Sequence, residues 1–64
     1  MIKIFSCYYR SDLLARLEMQ VYEFLTTNRK TKNGKTQKPE AIQFYPAVAD
    51  GYYFLTIHYK IVNL

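Results

Sequence analysis

Apolar and polar positions alternate along the last fifth of the chain. Between Tyr52 and Val62 the odd positions are Tyr53, Leu55, Ile57, Tyr59 and Ile61, all with apolar bodies. The even positions, Tyr52, Phe54, Thr56, His58, Lys60 and Val62, are mixed. A strand turns successive side chains to opposite faces. Residues 52–62 therefore offer one side to a core and keep the other free to meet something else. The segment is rich in aromatic and β-branched residues and has no Gly or Pro, which suits a central strand.

Residues 41–48 form a second alternating run, with Ile42, Phe44, Pro46 and Val48 on one face. Pro46 has no N–H to give to a ladder, so this strand belongs at an edge. Asp50-Gly51 supplies a two-residue turn of the primed type. That turn opposes Ala49 to Tyr52, Val48 to Tyr53, Phe44 to Ile57 and Ile42 to Tyr59. The apolar sets of the two strands then share one face, as a buried face demands.

Residues 1–9 read as another strand. Both parities carry apolar residues, and Ile2, Ile4 and Tyr8 are placed inward, leaving Lys3, Phe5, Cys7 and Tyr9 on the other face. Ser11 is the expected N-cap of a helix over residues 11–28, with Asp12 in the favourable first turn. Leu13, Leu14, Leu17, Val21, Phe24 and Leu25 recur at the helical period and should cover one face of the sheet. Ala15, Met19 and Tyr22 line up on the outer side among Arg16, Glu18 and Glu23. They are either scattered surface residues or a stripe that contacts a partner. Residues 29–40 read as a loop with Arg29, Lys30, Lys32, Lys35 and Lys38, and with Asn33-Gly34 as a turn signal. It is either a solvated linker or a basic finger for an anionic or acidic partner.

The fold class expected is α+β. A three-stranded antiparallel sheet in β-α-β-β order has its last strand in the centre and one helix on one face. Residues 1–64 make a single domain.

Size sharpens the picture. A chain of 64 residues buries little surface and has one cysteine, so no internal disulfide supports it. One Cys and one His cannot supply an ordinary metal shell, so no metal and no cofactor are expected. Oligomerisation is the remaining route to stability. The start Met1-Ile2-Lys3-Ile4-Phe5 shows no charged leader before an apolar stretch, and no apolar run approaches a membrane span. The expectation is a soluble cytoplasmic protein with no membrane partner. The net charge of +4 favours an anionic one.

With the helix on one side, the other sheet face would hold Lys3, Phe5, Cys7, Tyr9, Gln43, Tyr45, Tyr52, Phe54, Thr56, His58 and Lys60, with no acid among them. Such a face does not stay bare. A second copy can pack on it, through Phe5, Tyr9, Tyr52 and Phe54, or the outer helix residues Met19 and Tyr22 can make that contact. Alternatively the face is a stacking platform for single-stranded nucleic acid. Phe5, Tyr45, Phe54 and His58 would meet the ligand there, with Lys3, Lys60 and the basic loop on phosphates. It lacks the Gly-aromatic run of the common RNA-recognition module. A pocket for a nucleotide within an oligomer combines both ideas. Cys7 and His58 on one face would suggest a thiol and its base, but no acid orients them, and a packed cysteine is the simpler reading. No catalytic residues are assigned, and the chain is read as a binding protein rather than an enzyme.

The opening Ile4-Phe5, the helix with Leu17-Glu18 and Phe24-Leu25, then Ile42-Gln43-Phe44 and Thr56-Ile57-His58-Tyr59, resemble the very small sporulation-associated proteins of spore-forming bacteria and their phages. The resemblance implies the strand–helix–strand–strand fold and, as one alternative, a structural role in sporulation. The basic composition and Lys-rich loop depart from that pattern. Tiny proteins of this kind are also similar to phage-encoded inhibitors of bacterial defence. By that analogy this chain would be a homo-oligomeric inhibitor that binds a protein partner or sequesters an anionic ligand such as a nucleotide.

Overall fold

The computed structural model describes residues 1–64. Strand β1 (Ile2–Tyr8) leads into helix α1 (Ser11–Thr26). Two residues, Arg29–Lys30, form β2, and the long strands β3 (Thr36–Ala49) and β4 (Tyr52–Asn63) complete the chain. The sheet is antiparallel with order β1-β4-β3-β2. The last strand is central, as expected, but there are four strands rather than three. The fourth comes from the stretch read as a loop over 29–40, because β3 begins at Thr36 and folds back on Arg29–Lys30.

The Asp50-Gly51 turn is of the primed type, with φ of 52° and 78°. Its register matches the expectation from Ala49↔Tyr52 to Gln43↔His58, including Phe44↔Ile57. Beyond that the pairing slips. Ala41, not Ile42, opposes Tyr59, and Ile42 is the extra residue of a β-bulge. A bulge changes which parity faces the core. On β3 the even residues Phe44, Pro46 and Val48 lie on the helix side after it, while Gln37, Pro39 and Ala41 do so before it. Pro46 lies where β3 has a neighbour on one side only, as an edge proline should.

The parity of β1 is the reverse of the expected one. Lys3 opposes Ile57, Phe5 opposes Leu55 and Cys7 opposes Tyr53, so these three lie on the helix side. Ile2, Ile4 and Tyr8 lie on the open side with His58, Thr56 and Tyr52. The reason is aromatic packing. The Phe5 ring meets Phe24 of the helix edge-on at 5.9 Å, and Phe24 meets Tyr59 at 5.1 Å. Lys3 joins them because its stem can run along apolar surface while its ammonium stays wet. Its Nζ stands 5.5 Å from the Phe5 ring centre and 5.9 Å from that of Phe24.

The helix presents the expected stripe. Leu17 is buried at 3% exposure, and Leu13, Leu14, Val21, Phe24 and Leu25 are half-buried. The N-cap is Arg10 rather than Ser11: Arg10 is extended, and its carbonyl accepts from the Leu14 amide at 2.9 Å. The Arg10 guanidinium instead grips Asp12 at 2.8 Å and holds that carboxyl below the ordinary range. The helix ends at Thr26, short of residue 28. The Thr26 hydroxyl donates to the Tyr22 carbonyl at 2.8 Å, and the Thr27 hydroxyl to that of Glu23 at 2.6 Å.

Only Leu17, Pro39 and Ile57 are fully buried. Leu17→Ala should therefore cost about 2–5 kcal/mol, while Met19→Ala on the outer side costs no more than about 0.5 kcal/mol. Urea unfolding at one protein concentration measures both. Equal costs would mean that the helix sits on the sheet by another face.

Candidate functional site

The open face of the sheet is charge-free over its aromatic half. Tyr8 and Tyr52 stack at 4.8 Å, and the Phe54 ring lies 6.2 Å from that of Tyr52. Antiparallel partners share a face, so Ile4, Ser6, Ala47, Ala49 and Tyr45 join them. Ile2, Ile4, Tyr8, Tyr45 and Tyr52 are all exposed. The Tyr8 hydroxyl beside it, and then slight desolvation, push the Tyr52 phenol above its ordinary value of 10.0. Nothing in the chain covers this face.

Several expected members of the face lie elsewhere. Phe5 is half-buried under the helix. Tyr9 is exposed on the helix side, where its ring stacks on Tyr53 at 6.4 Å. Those two leave the proposed interface set, and Lys3 leaves the phosphate-binding set. Tyr8, Ile2 and Ile4 take their places. Tyr45, Tyr52, Phe54, Thr56 and His58 stand where expected, with His58 opposite Gln43. The face also holds an acid after all. Glu40, which the bulge turns onto it, lies 3.7 Å from Lys60 in an exposed ion pair.

Cys7 and His58 fall on opposite faces of the sheet. Cys7 opposes Tyr53 on the helix side, and His58 opposes Ile2 and Gln43 on the open side. A proton cannot pass directly between them, so the thiol–imidazole pair is ruled out by geometry. No group of three His, Cys, Asp or Glu side chains is placed to hold a metal ion. No helix is long and apolar enough to cross a membrane.

The basic stretch is a formed hairpin rather than a bare loop. Arg29 pairs with Gln37 and Lys30 with Thr36. The Thr31 amide donates to the Lys35 carbonyl at 2.8 Å, and the Gly34 amide to the Thr31 carbonyl at 3.0 Å. The Lys35 amide also reaches the Thr31 hydroxyl at 3.2 Å. Gly34 sits at φ 77°, a conformation that glycine adopts without strain. Arg29, Lys30, Lys32 and Lys35 are exposed, Lys38 is half-buried, and none has a carboxylate within ion-pair distance. At about 3.3 Å per residue, β3 carries this cluster some 40 Å from the Asp50-Gly51 turn. The longest dimension of the molecule is 44 Å. The basic end and the aromatic end are therefore the two ends of the protein.

Three depressions mark the remaining surface. An apolar groove of about 290 Å³ runs between α1 and the hairpin tip, lined by Tyr9, Leu14, Leu17, Val21, Tyr53 and Leu55 together with Glu18. A shallow hollow on the outer helix is formed by Ala15, Met19 and Tyr22 between Glu18 and Glu23. Met19 and Tyr22, the alternative interface pair, are indeed exposed there. A third pocket, of about 270 Å³, lies at the basic end, where Phe24, Tyr59, Pro39 and Ile61 meet Arg29 and Lys38. Phe24, Tyr59 and Arg29 were each legible as core or surface residues, but only the fold brings them together.

No protein-family model matches the chain, and no curated protein and no solved structure matches it.

The hydrogen bonds of the hairpin give it a measurable signature. The Thr31 and Gly34 amides should exchange with solvent more slowly than those of Lys32 and Asn33, which have no such partner. Exchange of all four at one rate would return residues 29–40 to an open loop.

Proposed function

We propose that the chain is a non-enzymatic binding protein that pairs with a second copy through its open sheet face and holds an anionic ligand at its basic end. It acts by occupancy. In the manner of a phage-encoded inhibitor of bacterial defence, it would sequester a ligand such as a nucleotide, or block an acidic protein surface.

The uncovered sheet face carries this reading. The chain exposes 5000 Å², whereas a compact monomer of its mass exposes about 4,300 Å². The excess sits beside a very small buried core. Ile2, Ile4, Tyr8, Tyr45 and Tyr52 together present on the order of 600 Å², and a stable pair takes about 800 Å² from each partner. Adding Phe54, Thr56 and the alanines of β3 makes up the difference. The face suits a copy of itself because its aromatic half bears no charge, so pairing leaves none buried and unpartnered. The ion pair of this face, Glu40 with Lys60, stands away from that half, where water can reach it.

The same geometry counts against the platform for single-stranded nucleic acid. Stacked bases need cations a few ångströms away for their phosphates. Here the free cations lie at the far end of β3, and Lys60 has Glu40 beside it.

Sedimentation at micromolar concentration should give a dimer or larger assembly. Ile4→Lys should break it, whereas Met19→Lys leaves it intact. A well-folded monomer, or the reverse pattern of variants, would remove the open face as the contact. For the basic end, inorganic polyphosphate is a suitable probe. Replacing Lys30, Lys32 and Lys35 by Ser should slow its association at low salt about tenfold or more and flatten the salt dependence. An unchanged rate would show that the hairpin is not the anion-binding element.

A further inference from the structure

Of the three depressions, the one at the basic end alone is lined by cations and by no carboxylate. The groove at the hairpin tip has Glu18, and the hollow on the outer helix has Glu18 and Glu23. The basic-end pocket has Arg29, which pairs with Gln37 on the helix side, and is bordered by Lys38, whose place opposite Val62 turns its side chain to the open face. Neither cation has an ion-pair or side-chain hydrogen-bond partner in the chain. The wall is aromatic: Phe24 and Tyr59 meet edge to face at 5.1 Å with their planes 86° apart. Lys3 places a further ammonium 5.9 Å from the Phe24 ring. Met1 also borders the pocket, and its amine donates to the Tyr59 carbonyl at 2.8 Å.

We infer that this pocket binds one molecule of the nucleotide class, with its planar ring against Phe24 or Tyr59 and its phosphate on Arg29. The inference rests on the reading of the chain as a binding protein for an anionic ligand, and it names the site and ligand class. A guanidinium takes a phosphate in a two-pronged grip, and a ring face accepts any base. The volume of about 270 Å³ is just below the usual range of small-molecule sites, about 300–1,000 Å³, and suits a single nucleotide rather than a strand. Carbonyls at the C-terminal end of α1 would oppose an anion. Two of these already accept hydroxyl donors, the Tyr22 carbonyl from Thr26 and the Glu23 carbonyl from Thr27. The pocket lies on the helix side of the sheet. Pairing of two copies through the open face leaves it accessible.

Calorimetric titration of the full chain with AMP, adenosine and inorganic phosphate tests the assignment. AMP should bind at least about tenfold more tightly than either fragment. Arg29→Gln should weaken AMP about tenfold or more and leave adenosine unchanged. Phe24→Leu should weaken AMP and adenosine together, with circular dichroism checking that the helix survives. Phosphate binding as tightly as AMP would reduce the pocket to an anion contact and overturn the assignment. So would Arg29→Gln binding AMP like the parent chain. If polyphosphate binds through Lys30, Lys32 and Lys35 while AMP does not bind, the pocket falls and the wider reading stands. If neither binds, both fall.

Discussion

One helix has to cover a sheet that is longer than itself and has two faces. The 16 residues of α1 reach about 24 Å, while the 12 of β4 reach about 40 Å. The helix therefore protects Leu55, Ile57 and Tyr59 at mid-strand and leaves the hairpin tip and the whole opposite face to solvent. Ile57, which has zero exposure, marks the point where coverage is complete. The apolar groove at the tip, the exposed Phe44 and Val48, and the bare aromatic face all follow from this mismatch. A chain of this size has a small core beside that apolar surface, which is the ground for proposing that a second copy covers it.

The parts of the fold legible in the sequence are those set by local chemistry. Asp50-Gly51 fixes its own turn type, and the turn fixes the register of the strands it joins as far as Gln43. The Leu13 to Leu25 stripe declares the helix and its buried side. What was not legible depends on contacts distant in sequence. In β1, Ile2 and Ile4 compete with Phe5 and Cys7 for the core, and nothing local decides between them. The decision comes from Phe24, which offers Phe5 a ring edge. The bulge at Ile42 has no glycine or other marker. It arises because the Ala41 side of β3 must keep Pro39 and Ala41 over the core, while the Phe44 side must keep Phe44 there. Those two demands have opposite parity. The Lys-rich stretch read as a loop from its run of cations and its Asn33-Gly34 turn signal, yet Thr31 and Gly34 close a hairpin that lysine side chains merely decorate.

The same division holds for the candidate sites. Composition announced a basic, aromatic protein, and that suggested one surface with both properties. The fold separates the aromatic residues of the open face from most of the cations, and keeps Phe24 and Tyr59 with Arg29 on the helix side. Aromatic residues without charge gather by the Asp50-Gly51 turn, and cations gather by Gly34, with β3 as the strut between. An apolar surface at one end suits self-association, and a cationic pocket at the other suits a ligand. Each can be disturbed without the other, so the two proposed roles are separable by mutation.

The claim on which the rest depends is that the open face is covered in solution by a second copy. Methyl groups on the two sides of the molecule report on this directly. Ile4, at 60% exposure, and Met19, at 66%, are almost equally open in a single chain. A soluble paramagnetic probe would broaden both alike in a monomer. With the open faces paired, the Ile2 and Ile4 methyl signals stay sharp while that of Met19 broadens. Equal broadening of Ile4 and Met19 at millimolar protein would contradict the pairing and leave the sheet face without a partner.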